Sequence, residues 1–497
     1  MNRIAQGTVG NGAGRDVSVM EVHPRPAHAR GYHLAVVGMG LLVFLLAPAM
    51  LVGCATGGGD NKAPLSPKVR QTILVTLDTT RADHTSPYGY TRAATPNLRA
   101  FARRSLQFNH AYTVIPTTGP AHISILTGLY PQEHGSLENG MPARPGLANL
   151  AMLMRRDGRR TAAIVSAHHV GSAAIGLTGF EVWDAPPTVR DGAETVTLAI
   201  EWVRANKGEP FFLWVHLFDP HWPYVAHEEL SPGLRGLLAP LEGVSTRPKG
   251  GFLDSPMSAD ETVKLGLLYD AEIEYTDRQV GRFLEFLDTA GIADSSLLVI
   301  TADHGEILGE APEALQYKFD HGKFLLPGEL HVPLWIRAPG LEAGSIDDTV
   351  ETRALYGSML WAAGIDAGGS PPTLPRLGRV PAAGGGKEQG FAFVARRSFA
   401  REPAPAVMKS ERHAVVTPRY IGIRIDGPSG RQIELYDRAG SPLGAGMDPG
   451  ARNDAALQCE RAIDLWLRAL GTKTGAGAGQ EMDEEMKRFL QSLGYVR

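Results

Sequence analysis

Three apolar runs, each closing on a cluster of acids and histidines, constrain this chain more than anything else in it. Thr72-Ile73-Leu74-Val75-Thr76-Leu77 stops at Asp78, Phe211 to Phe218 stops at Asp219-Pro220-His221, and Ser296 to Thr301 stops just short of Asp303-His304. Runs of this length without polar alternation suit strands buried on both faces, the signature of a parallel sheet. Between them lie stretches with helical periodicity, at Thr195 to Asn206 and about Ala259 to Ala290, and a shorter strand at Thr161 to Ala167. The alternation predicts an α/β fold, a doubly wound, mostly parallel sheet between helices. Open sheets of this kind bind ligands beyond the carboxyl ends of their strands, where Asp78 stands.

The stretch from Thr117 to Pro131 reads as a hydroxyl placed at the mouth of a helix. Pro120 has the fixed φ of a first turn, Gly119 allows close backbone approach, and Thr118 falls at the N-cap. Free N–H groups and the helix dipole attract anions there, so a tetrahedral oxyanion fits beside Thr118; a capped helix with no ligand is the other reading.

Several segments together resemble the sulfatase family of the alkaline phosphatase superfamily. They are Asp78-Thr79-Thr80-Arg81-Ala82-Asp83, Thr118-Gly119-Pro120-Ala121-His122 with Leu126-Thr127-Gly128-Leu129-Tyr130-Pro131, Phe218-Asp219-Pro220-His221-Trp222-Pro223-Tyr224, Asp303-His304-Gly305-Glu306, and His321-Gly322-Lys323 before Val332-Pro333. Counting back from Leu126-Thr127-Gly128 puts Thr118 at the nucleophile and His122 at the family's arginine. Those two residues depart from the pattern: Thr118 cannot be oxidised to formylglycine, so the resemblance implies an ordinary hydroxyl nucleophile. At His122 three roles stay open, namely anion binding, orienting Thr118, or packing.

The resemblance implies a sulfatase-like core with a small antiparallel C-terminal subdomain. It also implies one divalent metal ion held by Asp78, Thr118, Asp303 and His304. Thr79 replaces a second acidic or amide ligand, which favours zinc or manganese while still allowing calcium. His221 is implied to meet the substrate oxyanion, and His321 and Lys323 are both candidates beside it, with His321 preferred by its distance to Val332-Pro333. Asp219, His221 and His321 form an alternative second-metal set, although Asp219 also reads as a turn cap.

The expected activity is attack by Thr118 on a phosphate or sulfate ester of a small molecule, glycan or lipid, by a hydrolase or transferase. An ordinary sulfuric ester hydrolase and a non-catalytic anion- or glycan-binding relative are the alternatives. A net charge of -4 gives no reason to expect nucleic acid as a partner.

The N-terminal part reads differently. Leu34 to Gly53 is nearly continuous apolar sequence behind Arg25, Arg30 and His33, and ends in Leu51-Val52-Gly53-Cys54. This resembles a bacterial lipobox, with Cys54 lipidated and the body outside the cytoplasm at the membrane; an uncleaved transmembrane anchor is the alternative. Residues 1–53 are therefore read as an export segment, 54–71 as a tether, and 72–365 as the core. Residues 366–390 read as a Gly/Pro-rich linker and 391–497 as the C-terminal subdomain with its terminal helices. Apart from Cys54 the chain holds only Cys459, read as a packing residue on an amphipathic helix.

Overall fold

The computed structural model describes residues 69–246, 257–310, 319–369, 371–375, 377, 392–399, 408–427, 430–443 and 447–471. The expected export segment, Cys54, nearly all of the expected tether, most of the expected linker and the tail beyond 471 lie outside the described residues. Among the described residues no helix is long and apolar enough to cross a membrane.

The strands in chain order are β1 (Gln71–Leu77), β2 (Leu106–Tyr112), β3 (Arg160–Val165), β4 (Val182–Asp184), β5 (Phe211–Leu217), β6 (Ser296–Ala302), β7 (Ile307–Leu308), β8 (Phe319–Asp320), β9 (His331–Val332), β10 (Leu334–Arg337) and β11 (Gly344–Glu351). The main sheet runs β11-β2-β10-β6-β1-β5-β3-β4, with β9 paired to β2 and a small β7-β8 ladder apart from it. From β6 to β4 every pairing is parallel, while β10 runs antiparallel to both of its neighbours.

The three apolar runs become the three central strands, and every residue of β1, β5 and β6 is buried. Their side chains alternate between two cores, because successive residues of a strand face opposite sides. Leu74, Phe212, Trp214, Leu297 and Val299 join the helices Thr118–Thr127, Leu150–Arg156 and Leu355–Ala363 on one side. Ile73, Val75, Leu213, Val215, Leu298 and Ile300 face Pro96–Ala102, Gly192–Asn206 and Ala259–Thr289 on the other. This is the doubly wound α/β arrangement expected from the sequence.

Two local expectations change. The N-cap is Thr117, and Thr118 is already the first helical residue. The stretch after Tyr224, whose many glycines and prolines suggest a loop, contains the helix Pro232–Leu238 capped by Ser231, whose hydroxyl accepts from Leu234 N–H. Glycine at 233 and 236 masks its periodicity, and it is held by packing Leu234 against Leu267 and Ala271 of the long helix.

At the C-terminal end, β12 (Ala392–Phe399), β13 (Met408–Val416), β14 (Tyr420–Gly427) and β15 (Gly430–Asp437) form a four-stranded antiparallel sheet. The helix Pro449–Gly471 covers it, burying Cys459 and Ile463 against Val415 and Leu435. The thiol fills the space that the missing side chain of Gly422 leaves, since a Cβ there would stand 2.2 Å from Cys459 Sγ.

Candidate active site and metal centre

Register brings the site together. Leu77 pairs with Leu217 on one side and Ala302 on the other, so β1, β5 and β6 end level and release Asp78, the Phe218-to-His221 turn and Asp303-His304 at one sheet edge. Thr79 locks the junction with φ +48, a conformation unusual for a β-branched residue. Three hydrogen bonds hold it: its N–H donates to Asp303 Oδ1 (3.2 Å), its hydroxyl to Pro220 O (2.8 Å), and Tyr269 OH donates to its carbonyl (2.7 Å). The Thr79 hydroxyl is thus turned toward Pro220.

Asp78, Asp303 and His304 are fully buried, and one ligand atom from each lies within 4.8 Å of the others. His304 Nδ1–H donates to Gly305 O (2.9 Å), which fixes the tautomer and leaves Nε2 with its lone pair toward Thr118 Oγ1, 3.2 Å away. Burial disfavours the imidazolium, but Asp303 and Asp78 outweigh it and raise the His304 pKa. Burial likewise pushes the Asp303 carboxyl up, yet His304 beside it prevails and the pKa is lowered. Asp303 Oδ2 is buried with no hydrogen-bond partner among the described residues. A buried carboxylate oxygen without a donor, a second carboxylate and an imidazole lone pair together fit a divalent cation.

His122 lies beneath Thr118. Its Nδ1–H donates to Thr118 O (2.7 Å) and its Nε2 lies 3.0 Å from Thr76 Oγ1, so both nitrogens are engaged inside the protein. Burial, with His216 adding to it, drops its pKa to about 3, and the ring is neutral. Of the three roles open for His122, this geometry matches orienting Thr118 and packing, since neither nitrogen is left for an anion.

His221 stacks on Phe218 (ring centroids 4.2 Å) and donates from Nδ1 to Trp222 O (2.6 Å). The His321 ring sits 5.3 Å from His221 and 4.4 Å from His304. Its Nδ1 faces Glu306 at 3.3 Å, and Tyr224 OH donates to the same carboxylate (3.1 Å). Lys323 instead binds Asp320 through its ammonium group. The structure therefore gathers Asp78, Thr118, His221, Asp303, His304 and His321, and turns Lys323 to Asp320.

Asp219 is occupied elsewhere: its Oδ1 accepts the Gly192 N–H (2.9 Å) at the start of a helix. Burial raises its carboxyl pKa to about 7. A raised acid is protonated in the fold while already ionised in the open chain. Its stabilising contribution is thus complete below pH 3.8 and is lost as pH rises to about 7. Asp219→Asn should melt progressively higher relative to wild type as pH goes from 4 to 8; melting-temperature differences independent of pH would refute this.

Several residues escaped the sequence reading. His216 lies inside β5 with Nε2 3.2 Å from Asp78 Oδ2. Thr76 lies beside it in β1, and Asn139 accepts the Gly119 N–H through Oδ1 (2.8 Å). The closeness that Gly119 permits is used by Asn139, since a Cβ on Gly119 would stand 3.2 Å from Asn139 Oδ1. His169 packs 5.0 Å from Phe218 and 6.4 Å from His221, ring to ring. A histidine interrupting an all-apolar strand was the available signal for His216; Asn139 and His169 lie in irregular segments that offered none.

The family model described as Sulfatase matches residues 70–365. Choline-sulfatase of Rhizobium meliloti (strain 1021) is 26% identical over 310 residues, covering 50% of this chain and 59% of that protein. Human iduronate 2-sulfatase is 23% identical over 377 residues, covering 62% and 66%. The chain thus spans between about half and two thirds of the length of the first curated relatives it matches. Among solved structures, the phosphonate monoester hydrolase of Agrobacterium radiobacter superposes with a TM-score of 0.64 at 19% identity, over 80% of this chain and 95% of that one. A protein solved with its substrate D-glucosamine-2-N,6-O-disulfate gives 0.63 at 18%, over 82% and 99%.

Proposed function

The chain belongs to the sulfatase family, and from that premise we propose that it is a metal-dependent hydrolase or group transferase that cleaves a phosphate or sulfate ester through Thr118. The observation that carries this reading is the Thr118 hydroxyl, buried and 3.2 Å from His304 Nε2, beside Asp78 and Asp303. Asp78, Asp303, His304 and Thr118 would hold the ion. When bound, it supplies a lowered hydroxyl pKa at Thr118 and positive charge against the substrate oxyanion. The imidazole donor, with the Thr79 hydroxyl turned to Pro220, favours zinc or manganese over calcium.

In this mechanism Thr118 passes its proton to solvent water, and its Oγ bonds to phosphorus or sulfur as the bond from that atom to the ester oxygen breaks. His221 and His321 steady the non-bridging oxygens. His321 gives the leaving alcohol a proton, its ring fixed by Glu306. Water or an acceptor alcohol then bonds to phosphorus or sulfur and gives its proton to His321, the bond to Thr118 Oγ breaks, and a proton from solvent restores the hydroxyl. We place the protein outside the cytoplasm on a lipid at Cys54; mass spectrometry finding residues 1–53 still attached to the mature protein would count against that.

The test is metal analysis of purified protein together with a screen of aryl sulfates against phosphate mono- and diesters. Bound metal with phosphoester turnover supports the reading, and sulfate release shifts it to an ordinary sulfuric ester hydrolase. Neither metal nor turnover leaves a non-catalytic binding protein. His321→Ala should slow esters of poor leaving groups by roughly a hundredfold or more, within the usual range for general acids. Lys323→Ala, held by Asp320, should change turnover by less than about tenfold; a reversed order would exchange their roles.

A further inference from the structure

Hydrogen-bond polarity beneath the site fixes which nitrogen of His216 carries its proton. His122 Nδ1 faces a carbonyl at 2.7 Å and must be the protonated nitrogen, so His122 Nε2 is an acceptor and takes the Thr76 hydroxyl proton at 3.0 Å. The single proton of Thr76 is then committed. Trp214 Nε1–H, which can only donate, reaches the same oxygen at 2.9 Å. His216 Nδ1, 3.1 Å from Thr76 Oγ1, must therefore also donate. A neutral imidazole carries one N–H, so His216 Nε2 bears a lone pair. That nitrogen is fully buried and has no hydrogen-bond partner among the described residues, and it lies 3.2 Å from Asp78 Oδ2. A neutral imidazole nitrogen and a carboxylate oxygen at this spacing in a buried site repel each other, whereas a cation between them would bind both.

We propose that His216 Nε2 is a further ligand of the ion held by Asp78, Asp303 and His304, giving the centre a second imidazole. This rests on the metal-dependent reading above and deepens it. An N···O separation of 3.2 Å is the ordinary spacing of two adjacent ligands on one ion with bonds near 2.1 Å. His216 stands outside the group whose ligand atoms all lie within 4.8 Å of one another, so it would share the ion with the Asp78 carboxylate it already approaches. Two imidazoles strengthen the preference for zinc or manganese over calcium.

The experiment is X-ray absorption on the zinc-loaded wild type and His216→Asn, whose shorter amide can still donate to Thr76 while leaving the Nε2 position empty. The wild type should show two imidazole scatterers and the variant one, with zinc affinity at least about tenfold weaker. Melting of the two proteins in chelator should agree, showing that the fold is kept. A single imidazole in the wild type, or the same count in both, overturns the proposal while leaving metal dependence standing. A wild type that takes up no zinc or manganese overturns the functional reading itself.

Discussion

Thr118→Ala should lower turnover by at least about three orders of magnitude while leaving the protein folded. The hydroxyl is the atom proposed to bond to the substrate, and no other hydroxyl is shown bonded to His304 Nε2. Its loss from the fold is small, since one 3.2 Å hydrogen bond contributes about 1 kcal/mol. Thr118→Ser keeps the nucleophilic oxygen and should retain activity within about tenfold, because only a methyl group is removed. Turnover of the alanine variant within tenfold of wild type would take Thr118 out of the chemistry, whatever the metal content.

The second large effect falls on Asp303. Its Oδ1 accepts both the Thr79 N–H and its own neighbour's N–H at His304 (2.8 Å), and its Oδ2 is the buried oxygen without a hydrogen-bond partner among the described residues. Asp303→Ala therefore removes a proposed ligand and also releases the strained backbone at Thr79. Bound metal should fall to background, turnover should fall as far as in Thr118→Ala, and the melting temperature should drop, unlike in the threonine variant. Elemental analysis and thermal melts on the same preparation check this; a variant that keeps stoichiometric metal would exclude Asp303 as a ligand.

The fold was legible because its central strands are continuous apolar runs, and nothing but a doubly covered sheet accommodates three of them separated by amphipathic helices. Asp78, Asp303 and His304 were legible because they sit where those runs stop. The helix at Pro232–Leu238 was hidden by its glycines, and its stability comes from a partner helix far along the chain. Thr118 was placed one position early, at the cap, because Pro120 is as compatible with the third helical residue as with the second. The sequence also gave no way to see that the Thr79 hydroxyl turns to Pro220, since that follows from a backbone angle set by contacts with Asp303 and Tyr269. The chain of Trp214, Thr76, His122 and His216 was invisible for a related reason. Apart from His122, each residue there reads as core filler until strand register lays Thr76 beside His216.

That register also decides when the centre can be filled. Thr79 and the Asp303 carboxylate that holds it are separated by 224 positions. A nascent chain halted before β6 therefore presents Asp78 and Thr118 but lacks the aspartate and histidine that complete the cage. A cation bound by the proposed set would have to wait until the whole core has been delivered and its middle strands have annealed, and would then tighten the entire sheet by mass action instead of one hairpin. Chains cut short of residue 303 should take up no zinc, which makes occupancy a gauge of finished folding.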